Sequence, residues 1–494
     1  MASRIGRKVI WVLYREGSYG TIAKDMSIVK KRFKKIVPLA IIGLVVMFFV
    51  VNISLLSMSG EDILHKYTTE EKTMVETIVA TYKYLPRIGE FYQKALIKYY
   101  TYQISPSDAL LRAIDIAASV LSIALMACLV LGRKMKATKV TDSIVFGLMF
   151  LLMACLSSSE VYSMRFSYIH NYVPIMCLLS IVLYILFWQK SKKKVALFFD
   201  VIASFAFGFS NEIAPIAMII ITVAIILFEK KAEGIKVKEI AKRFSKEIAV
   251  LIGLILGLVF MLGNGSILSR SSTTYGQVYD YVSFFAVFKA PLYTIKHILL
   301  HLAYNARHLY ALGIILFFYL AYMIKAKKTL KEICADKRLV MEISCFVLAV
   351  LYWGGTSQIA LKDDLESRLL SPAALGLSIG VASMVFRIIN SQKDKLRLMK
   401  PYIGGAVLAV VLVAFGDLSI IRISEYRQYR NEIEMIRATE SSEVCLLKGL
   451  EYQSDKSMVF EFTQFSPFEE WIQDYTDVEM YGKKLRYNST CEVK

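Results

Sequence analysis

The sequence predicts an all-α polytopic membrane protein with about 11 transmembrane helices and a small α/β domain at its C-terminal end. Hydrophobic residues make up 56% of the 494 residues, and the mean hydropathy is +0.49, which is more apolar than soluble domains usually are. Apolar runs of about 17 to 22 residues also recur along most of the chain, and this is the length that a helix needs to cross a bilayer.

Three regions follow from these runs. We predict a basic cytoplasmic segment at 1–35, a transmembrane domain at 36–421 and an extracytoplasmic tail domain at 422–494. Within the transmembrane domain, the eleven predicted spans lie at about 36–58, 109–131, 140–158, 170–188, 195–209, 212–228, 248–263, 307–324, 339–355, 369–386 and 401–421.

The formal net charge of +19 is concentrated on one side of this predicted topology. Ten Lys or Arg residues precede residue 36, against the acids Glu16 and Asp25. Further basic loops follow spans 2, 4, 6, 8 and 10, namely "GRKMKATK", "QKSKKK", "EKKAEGIKVKEIAKRFSKE", "KAKKTLKEICADKR" and "RIINSQKDKLRLMK". The positive-inside rule assigns this side to the cytoplasm, which places the N-terminus inside and the C-terminus outside. Because topology accounts for most of the charge, we expect no nucleic-acid partner.

One segment complicates the count of spans. Residues 278–307 form the second part of the predicted outer loop 264–306 and end one residue beyond it. They are apolar enough to suggest a twelfth span. Lys289, Pro291 and His297 make this segment a poor span, so we interpret it as helices that lie on the outer interface.

The first outer loop, 59–108, is predicted to form two amphipathic helices at the membrane surface, separated near Pro86. Thr68 or Thr69 with Glu71 matches a capping box at the start of the first helix. The loop is either a plain surface lid or a lid over a lipid-linked substrate, with Arg87 facing its phosphate.

Candidate functional residues lie at or beyond the predicted outer ends of the spans. In "GEDILHKY", Asp62 and Glu61 are either solvated charges at the end of span 1 or a general base and its helper at the outer surface, with Arg87 or His65 as a charge partner. The segments "SYIHNYVPI", "GFSNEIAPI", "GNGSILSR" and "KDDLESRLLSP" supply further candidates for binding a substrate or its phosphate, namely His170, Asn211, Glu212, Asn264, Arg270 and Arg368. Arg87 and Arg307, which lie outside these segments, complete the set. Asn211 and Glu212 equally fit a satisfied polar turn, and Arg368 equally fits an ion pair with Asp364.

No metal centre or cofactor is predicted, although a divalent metal remains open. The seven cysteines fit no zinc spacing. Cys445 and Cys491 are the two predicted outer cysteines, and they are candidates for a disulfide.

These motifs together resemble the C-type glycosyltransferases, and more closely a group of bacterial multipass proteins that are GT-C-like. The resemblance rests on "ED" at 61–62, "PR" at 86–87, "SNE" at 210–212, "GN" at 263–264 with Arg270, "ESRLLSP" at 366–372, and Trp471 with "YG" at 481–482. It implies an enzyme of the bacterial plasma membrane that takes a sugar from a polyprenyl-phosphate donor. The acceptor would be a cell-surface glycan or a lipid-linked oligosaccharide, and Asp62 would be the general base.

Two other functions remain open from the sequence. An O-antigen or capsule polymerase or ligase is favoured by the cations and histidines of the 264–308 loop, among them Arg270, His297 and Arg307. A polysaccharide transporter would place ionisable residues within spans and often shows an internal repeat. The candidates for that role are Asp115, Asp142, Asp200 and Asp417, and we find no convincing repeat.

Overall fold

The computed structural model describes the backbone of residues 18–56, 58, 60–101, 108–157, 161–162, 165–264, 307–359, 370–391, 395–446, 479–480 and 483–487. The segment 278–306, for which we predict interfacial helices, lies outside these ranges, as do Arg270, Arg368 and Cys491.

Helices lie at each of the eleven predicted spans. They are α1 (Ser18–Leu55), α5 (Ala109–Leu131), α6 (Val140–Phe150, continued by a π-helical segment Leu151–Ser157), α7 (Phe166–Phe187), α8 (Lys194–Gly208), α9 (Ala214–Glu233), α11 (Ser245–Leu262), α12 (Arg307–Lys325), α14 (Lys337–Ile359), α15 (Ser371–Ser391) and α16 (Lys395–Ala438). Short helices precede, connect or follow them: α2 (Gly60–Glu70), α3 (Met74–Tyr84), α4 (Ile88–Ile97), α10 (Ile240–Arg243) and α13 (Leu330–Ala335).

Eight of the described helices are long and apolar enough to cross a membrane, so the chain is an all-α polytopic protein in these parts. The other three predicted spans coincide with α6, α8 and α9. Helix α6 has only 11 residues before it changes to π-helical geometry, and α8 has 15 residues. Helix α9 ends in a charged last turn, which shortens its apolar part. A count of eleven therefore remains a prediction.

Glycines allow α8 and α11 to pack backbone against backbone. A Cβ atom added at Gly208 would collide with the Leu254 carbonyl, and one added at Gly257 would collide with the Phe205 carbonyl. A Cβ atom added at Gly253 would likewise collide with the Val201 carbonyl. Close approach through small residues is a common way to associate helices in lipid, where burial of apolar side chains provides little driving force. This contact fixes the end of α8 relative to the end of α11.

The first outer loop folds into three helices, α2, α3 and α4, rather than the two predicted. The break near Pro86 is confirmed, because α3 ends at Tyr84 and α4 begins at Ile88. The predicted capping box was wrong. The Thr68 and Thr69 hydroxyls donate back to the His65 carbonyl within α2, at 3.0 and 2.9 Å. A capping box forms instead at the start of α3, a few residues later in the chain. The Thr73 hydroxyl accepts from the Glu76 N–H, and the Glu76 carboxylate accepts from the Thr73 N–H. We call the end of the bundle that carries these helices the loop end.

A buried ionic cluster that sequence reasoning missed ties α14 to α15 at the opposite end of the bundle. Arg387 contacts Asp336 at 2.9 Å and Glu342 at 3.3 Å, and the fully buried Glu342 also accepts a hydrogen bond from Ser383 at 2.8 Å. Buried charges that are paired and hydrogen-bonded in this way are costly to separate. The cluster therefore holds the helix ends together.

The helix of the last predicted span continues past residue 421 to Ala438. A three-stranded sheet follows, with β1 (Glu443–Leu446) parallel to β3 (Lys483–Tyr487) and β2 (Glu479–Met480) antiparallel to β3. Lys483 donates to the Ile436 and Arg437 carbonyls at 2.7 and 2.9 Å and so caps the C-terminal end of α16. A complete α/β domain at 422–494 remains a prediction, and pairing of Cys445 with Cys491 concerns side chains outside the described part.

Candidate functional site

Asp62 lies at the loop end and caps a helix that is distant in sequence. Its Oδ1 accepts a hydrogen bond from the Ser167 backbone N–H at 2.7 Å, and the residue is fully buried. Ser167 is the second residue of α7, and Arg165, at the cap position of that helix, makes no capping hydrogen bond of its own. The partial positive charge of the α7 N-terminus stabilises a carboxylate at this place.

The position of Asp62 corrects one expectation. We predicted a carboxylate at the protein surface; its predicted charge partner, Arg87 or His65, stays a prediction. The side chain is instead buried because α2 folds over the start of α7. Glu61 lies beside it in α2, and its side chain is outside the described part.

Arg87 pairs with Glu212, which joins the first outer loop to the hinge between α8 and α9. Arg87 Nε donates to Glu212 Oε1 at 3.1 Å, and Arg87 Nη2 contacts the same oxygen. The two side chains are 35% and 26% exposed, so solvent screens the pair, and its free-energy contribution is at most about 1 kcal/mol. Its importance is therefore positional, since it fixes a cation and a carboxylate at the loop end.

Asn211 forms a satisfied polar turn, which is one of the two alternatives that the sequence left open. Its Oδ1 accepts hydrogen bonds from the backbone N–H groups of Ile213 at 3.1 Å and Ala214 at 2.8 Å. These groups begin α9, whose first turn also carries Pro215. The amide of Asn211 thereby shapes the hinge that presents Glu212.

Asn264 reaches the same corner from the end of α11. Its Nδ2 donates to the Tyr82 carbonyl in α3. The backbone also contributes, because the Ile88 N–H donates to the Phe209 carbonyl at 3.1 Å. The corner between α3 and α4 is thus bound by the ends of α8 and α11, whose relative position the glycine contact sets.

His170 is fully buried and belongs to a second cluster that includes residues we had not selected. Its Nε2 lies 2.9 Å from Asp115 Oδ2 in α5. The Tyr100 and Tyr92 hydroxyls also donate to the Asp115 carboxylate, at 2.5 and 3.4 Å. Burial, together with the Asp115 carboxylate, raises the pKa of both phenols, so they remain neutral donors. The sequence signal was an aspartate within an otherwise apolar run, which we had weighed only for transport.

Arg112 links this cluster to the segment that leads into α2. Its Nη1 donates to the Ile53 carbonyl at 2.6 Å and the Leu56 carbonyl at 2.9 Å, where α1 ends. Its guanidinium also stacks 5.7 Å from the Tyr100 ring centroid and 5.1 Å from that of Phe166. Arg112 therefore holds the end of α1, from which the chain leads to Asp62.

The structure leaves three predicted cations without a described side chain. Arg270 and Arg368 lie outside the described residues, and Arg307 begins α12 with its side chain outside the description. In the described part of the chain, no three His, Cys, Asp or Glu side chains lie together as a metal site requires.

Three of the short motifs that carried the resemblance meet at one place. "PR" supplies Arg87, "SNE" supplies Glu212, and "GN" supplies Asn264, all at the corner between α3 and α4. Asp62 of the "ED" motif is hydrogen-bonded to Ser167 in α7. Helix α7 in turn contacts α4, where Gly89 lies against Asn171. No protein-family model, curated protein or solved structure matches the chain.

Proposed function

We propose that the chain is an integral membrane glycosyltransferase. It moves a sugar from a polyprenyl-phosphate donor to a cell-surface glycan or a lipid-linked acceptor on the outer face of the membrane. The observation that carries the proposal is the ion pair of Arg87 with Glu212, because it joins two motifs of the resemblance at the loop end of the bundle. The lipid chain of such a donor stays in the bilayer while its phosphate reaches that end.

In the proposed reaction, the acceptor hydroxyl attacks the anomeric carbon of the donor sugar. The new bond forms as the bond to the phosphate oxygen breaks, so polyprenyl phosphate leaves and the anomeric configuration inverts. Asp62 takes the hydroxyl proton as general base. Arg270, with Arg307 or Arg368, is proposed to stabilise the charge that develops on the leaving phosphate.

The contacts of Asp62 suit this role in one respect and restrict it in another. The hydrogen bond from the Ser167 backbone N–H to Oδ1 fixes the direction of the carboxylate. Because the side chain is buried, a substrate hydroxyl reaches it only when the segments that cover it move. The helices of the first outer loop are the natural moving part, since they are short and end in turns.

The test is turnover by the purified protein in lipid nanodiscs. Polyprenyl-phosphate monosaccharides with a labelled sugar are supplied together with a cell-surface glycan extract, and labelled glycan and free polyprenyl phosphate should appear in equal amounts. Transfer from a pyrophosphate-linked oligosaccharide instead would assign the chain to the polymerase or ligase class. Movement of intact glycan across a proteoliposome membrane without bond cleavage would assign it to transport.

A further inference from the structure

The end of the bundle opposite to the loop end carries a run of three lysines, Lys192, Lys193 and Lys194. The run connects α7, which begins at the loop end, to α8, which returns toward it. All three lysines are exposed, and none of them forms an ion pair with a carboxylate in the described part of the chain. Three positive charges therefore lie together where α8 begins.

The end of α10 brings further positive charge to the same place. Lys192 Nζ donates to the Arg243 carbonyl at 2.5 Å, and the side chains of Lys242 and Arg243 are exposed. Residues 188–200 and 229–247 together hold eleven Lys or Arg against five acids, so the region has an excess of positive charge. Three of these acids already have partners, namely Glu233 with Arg243, Glu247 with Lys246, and Asp200 with Gln189.

The first turns of α8, next to the lysine run, present an uncovered apolar face. Val195, Phe198, Phe199 and Ile202 are between 46% and 69% exposed. Their spacing of three and four residues puts them on one side of the helix, and Lys194 lies one turn before Phe198. Another side of α8 packs closely on α11. Positive charge and an apolar face thus adjoin on the same short helix.

The length of α8 bears on what lies beside this face. Its 15 residues extend over about 22 Å, whereas the hydrocarbon part of a bilayer is about 30 Å thick. A short span draws phospholipid headgroups toward its ends, and long lysine side chains extend along the helix to reach them. In the predicted topology, the lysine run therefore lies at the level of the phosphates.

We propose that the lysine run and the apolar face of α8 together bind a phospholipid with a negatively charged headgroup. Lys193 and Lys194 hold its phosphate, and one acyl chain lies along Val195, Phe198 and Phe199. This site is distinct from the loop end, and the inference does not depend on the proposed transfer of sugar.

Charge and shape disfavour other occupants of this face. A second copy of the chain docked here in a symmetric dimer would bring the two lysine runs together, and like charges repel. A soluble anion would pair with the lysines but would leave the apolar face uncovered. An anionic phospholipid matches both features, because its phosphate is attached to its own acyl chains.

The test measures which phospholipid lies beside α8 in a bilayer. Phe198→Trp in the full chain puts a fluorescent reporter on the apolar face, and the signal of the four native tryptophans is measured without this substitution and subtracted. Phosphatidylcholine bilayers receive a fixed share of brominated phosphatidylglycerol or of brominated phosphatidylcholine, whose bromine atoms quench a nearby tryptophan. Phosphatidylglycerol should compete for the site about fivefold better than phosphatidylcholine.

Two double variants of the reporter chain locate this preference. Lys193→Gln with Lys194→Gln should lower it to less than about twofold, because the phosphate loses its two partners. Lys136→Gln with Lys139→Gln is the matched control. These two lysines are also exposed at this end of the bundle, but they precede α6, which is buried along most of its length. Removing the same charge there should leave the preference unchanged.

Four results would overturn the inference. Equal quenching by the two lipids in the reporter chain would show that the headgroup charge is not recognised. Equal loss of the preference in both double variants would show a general effect of surface charge. Loss of the preference on adding inorganic phosphate at constant ionic strength would assign the lysines to a soluble anion. A reporter that neither brominated lipid quenches would show that protein, such as a second copy, covers the face.

Discussion

Arg87 and Glu212 lie 125 residues apart in the chain and form an ion pair between the first outer loop and the α8–α9 hinge. The pair is partly exposed, so it adds little to global stability, but it joins a short surface helix to the ends of two long ones. Its loss should therefore affect the position of α4 more than the folding of the bundle.

We expect Glu212→Gln and Arg87→Gln each to increase hydrogen exchange of the α4 amides by about fivefold, which corresponds to about 1 kcal/mol. The double variant should increase exchange of the α4 amides no more than either single variant does, because one substitution is enough to remove the ion pair. Hydrogen exchange with mass spectrometry measures both effects.

The control is Arg243→Gln, which removes a partly exposed pair with Glu233 at the opposite end of the bundle. Its α4 exchange should equal that of the unaltered chain. Additive effects of the two substitutions at Arg87 and Glu212 would mean that the pair does not couple the loop to the hinge.

Asp62→Asn should reduce turnover by about 10²-fold or more, as loss of a general base does. The substituted amide retains an oxygen that can accept the Ser167 N–H, so the cap on α7 and the yield of folded protein should survive. Labelled-sugar transfer and thermal unfolding are measured on the same preparation. Glu61→Gln, at the adjacent position in α2, should reduce turnover less.

The opposite pattern of activities among the variants would place the active site away from Asp62. If Asp62→Asn transfers sugar normally while Glu212→Gln is inactive, or while substitution of Asp363 by Asn in the outer segment "KDDLESRLLSP" abolishes transfer, then Asp62 has only the structural role of capping α7.

Gly257→Ala should destabilise the protein by about 1–3 kcal/mol, because the added methyl group collides with the Phe205 carbonyl in α8. Gly416→Ala is the matched control. It lies in α16 with no atom near the position of its Cβ, so this substitution should be neutral or slightly stabilising. Thermal unfolding in detergent measures both. Equal midpoints for the two variants would contradict the close packing of α8 on α11.

Reporter fusions test the predicted orientation. A reporter after Lys494 should be outside, and a reporter after Lys328 should be inside, because the basic loops follow the positive-inside rule. Alkaline phosphatase and green fluorescent protein fusions provide the two signals. If both positions are inside, the 278–307 segment spans the membrane, and the proposed placement of the later loops outside fails.

Apolar runs predicted the helices well, because the length and polarity of a spanning helix are set by the bilayer rather than by partners. Ala109–Leu131 has the predicted bounds of its span, since Gly132 ends it with a φ of 69° that glycine adopts readily. The three-helix form of the first outer loop was missed because Thr68 and Thr73 both suit a cap, and local sequence does not separate them.

The site was harder to predict because its contacts join distant segments. Asp62 was selected as one of two adjacent acidic residues at a helix end, and the sequence offered no sign that it caps α7. Asp115 was considered only for transport, because a single acid in an apolar run has no visible partner until α4 and α7 pack beside it. Pairing of this kind is decided by tertiary packing, which periodicity does not report.

The contacts of Arg112 bear on the order in which the protein is assembled. The carbonyls at the end of α1 receive their donors from Arg112 in α5, and Asp62 receives its donor from Ser167 in α7. During synthesis, the first span leaves the ribosome well before either donor exists. The acidic pair should therefore stay open to water-soluble carbodiimide in nascent chains that stop before α5 has emerged, and Asp62 should become protected once α7 has been inserted. The carboxylate that we propose as the general base is thus buried only late in synthesis, and an unfinished chain in the membrane lacks its contact with Ser167.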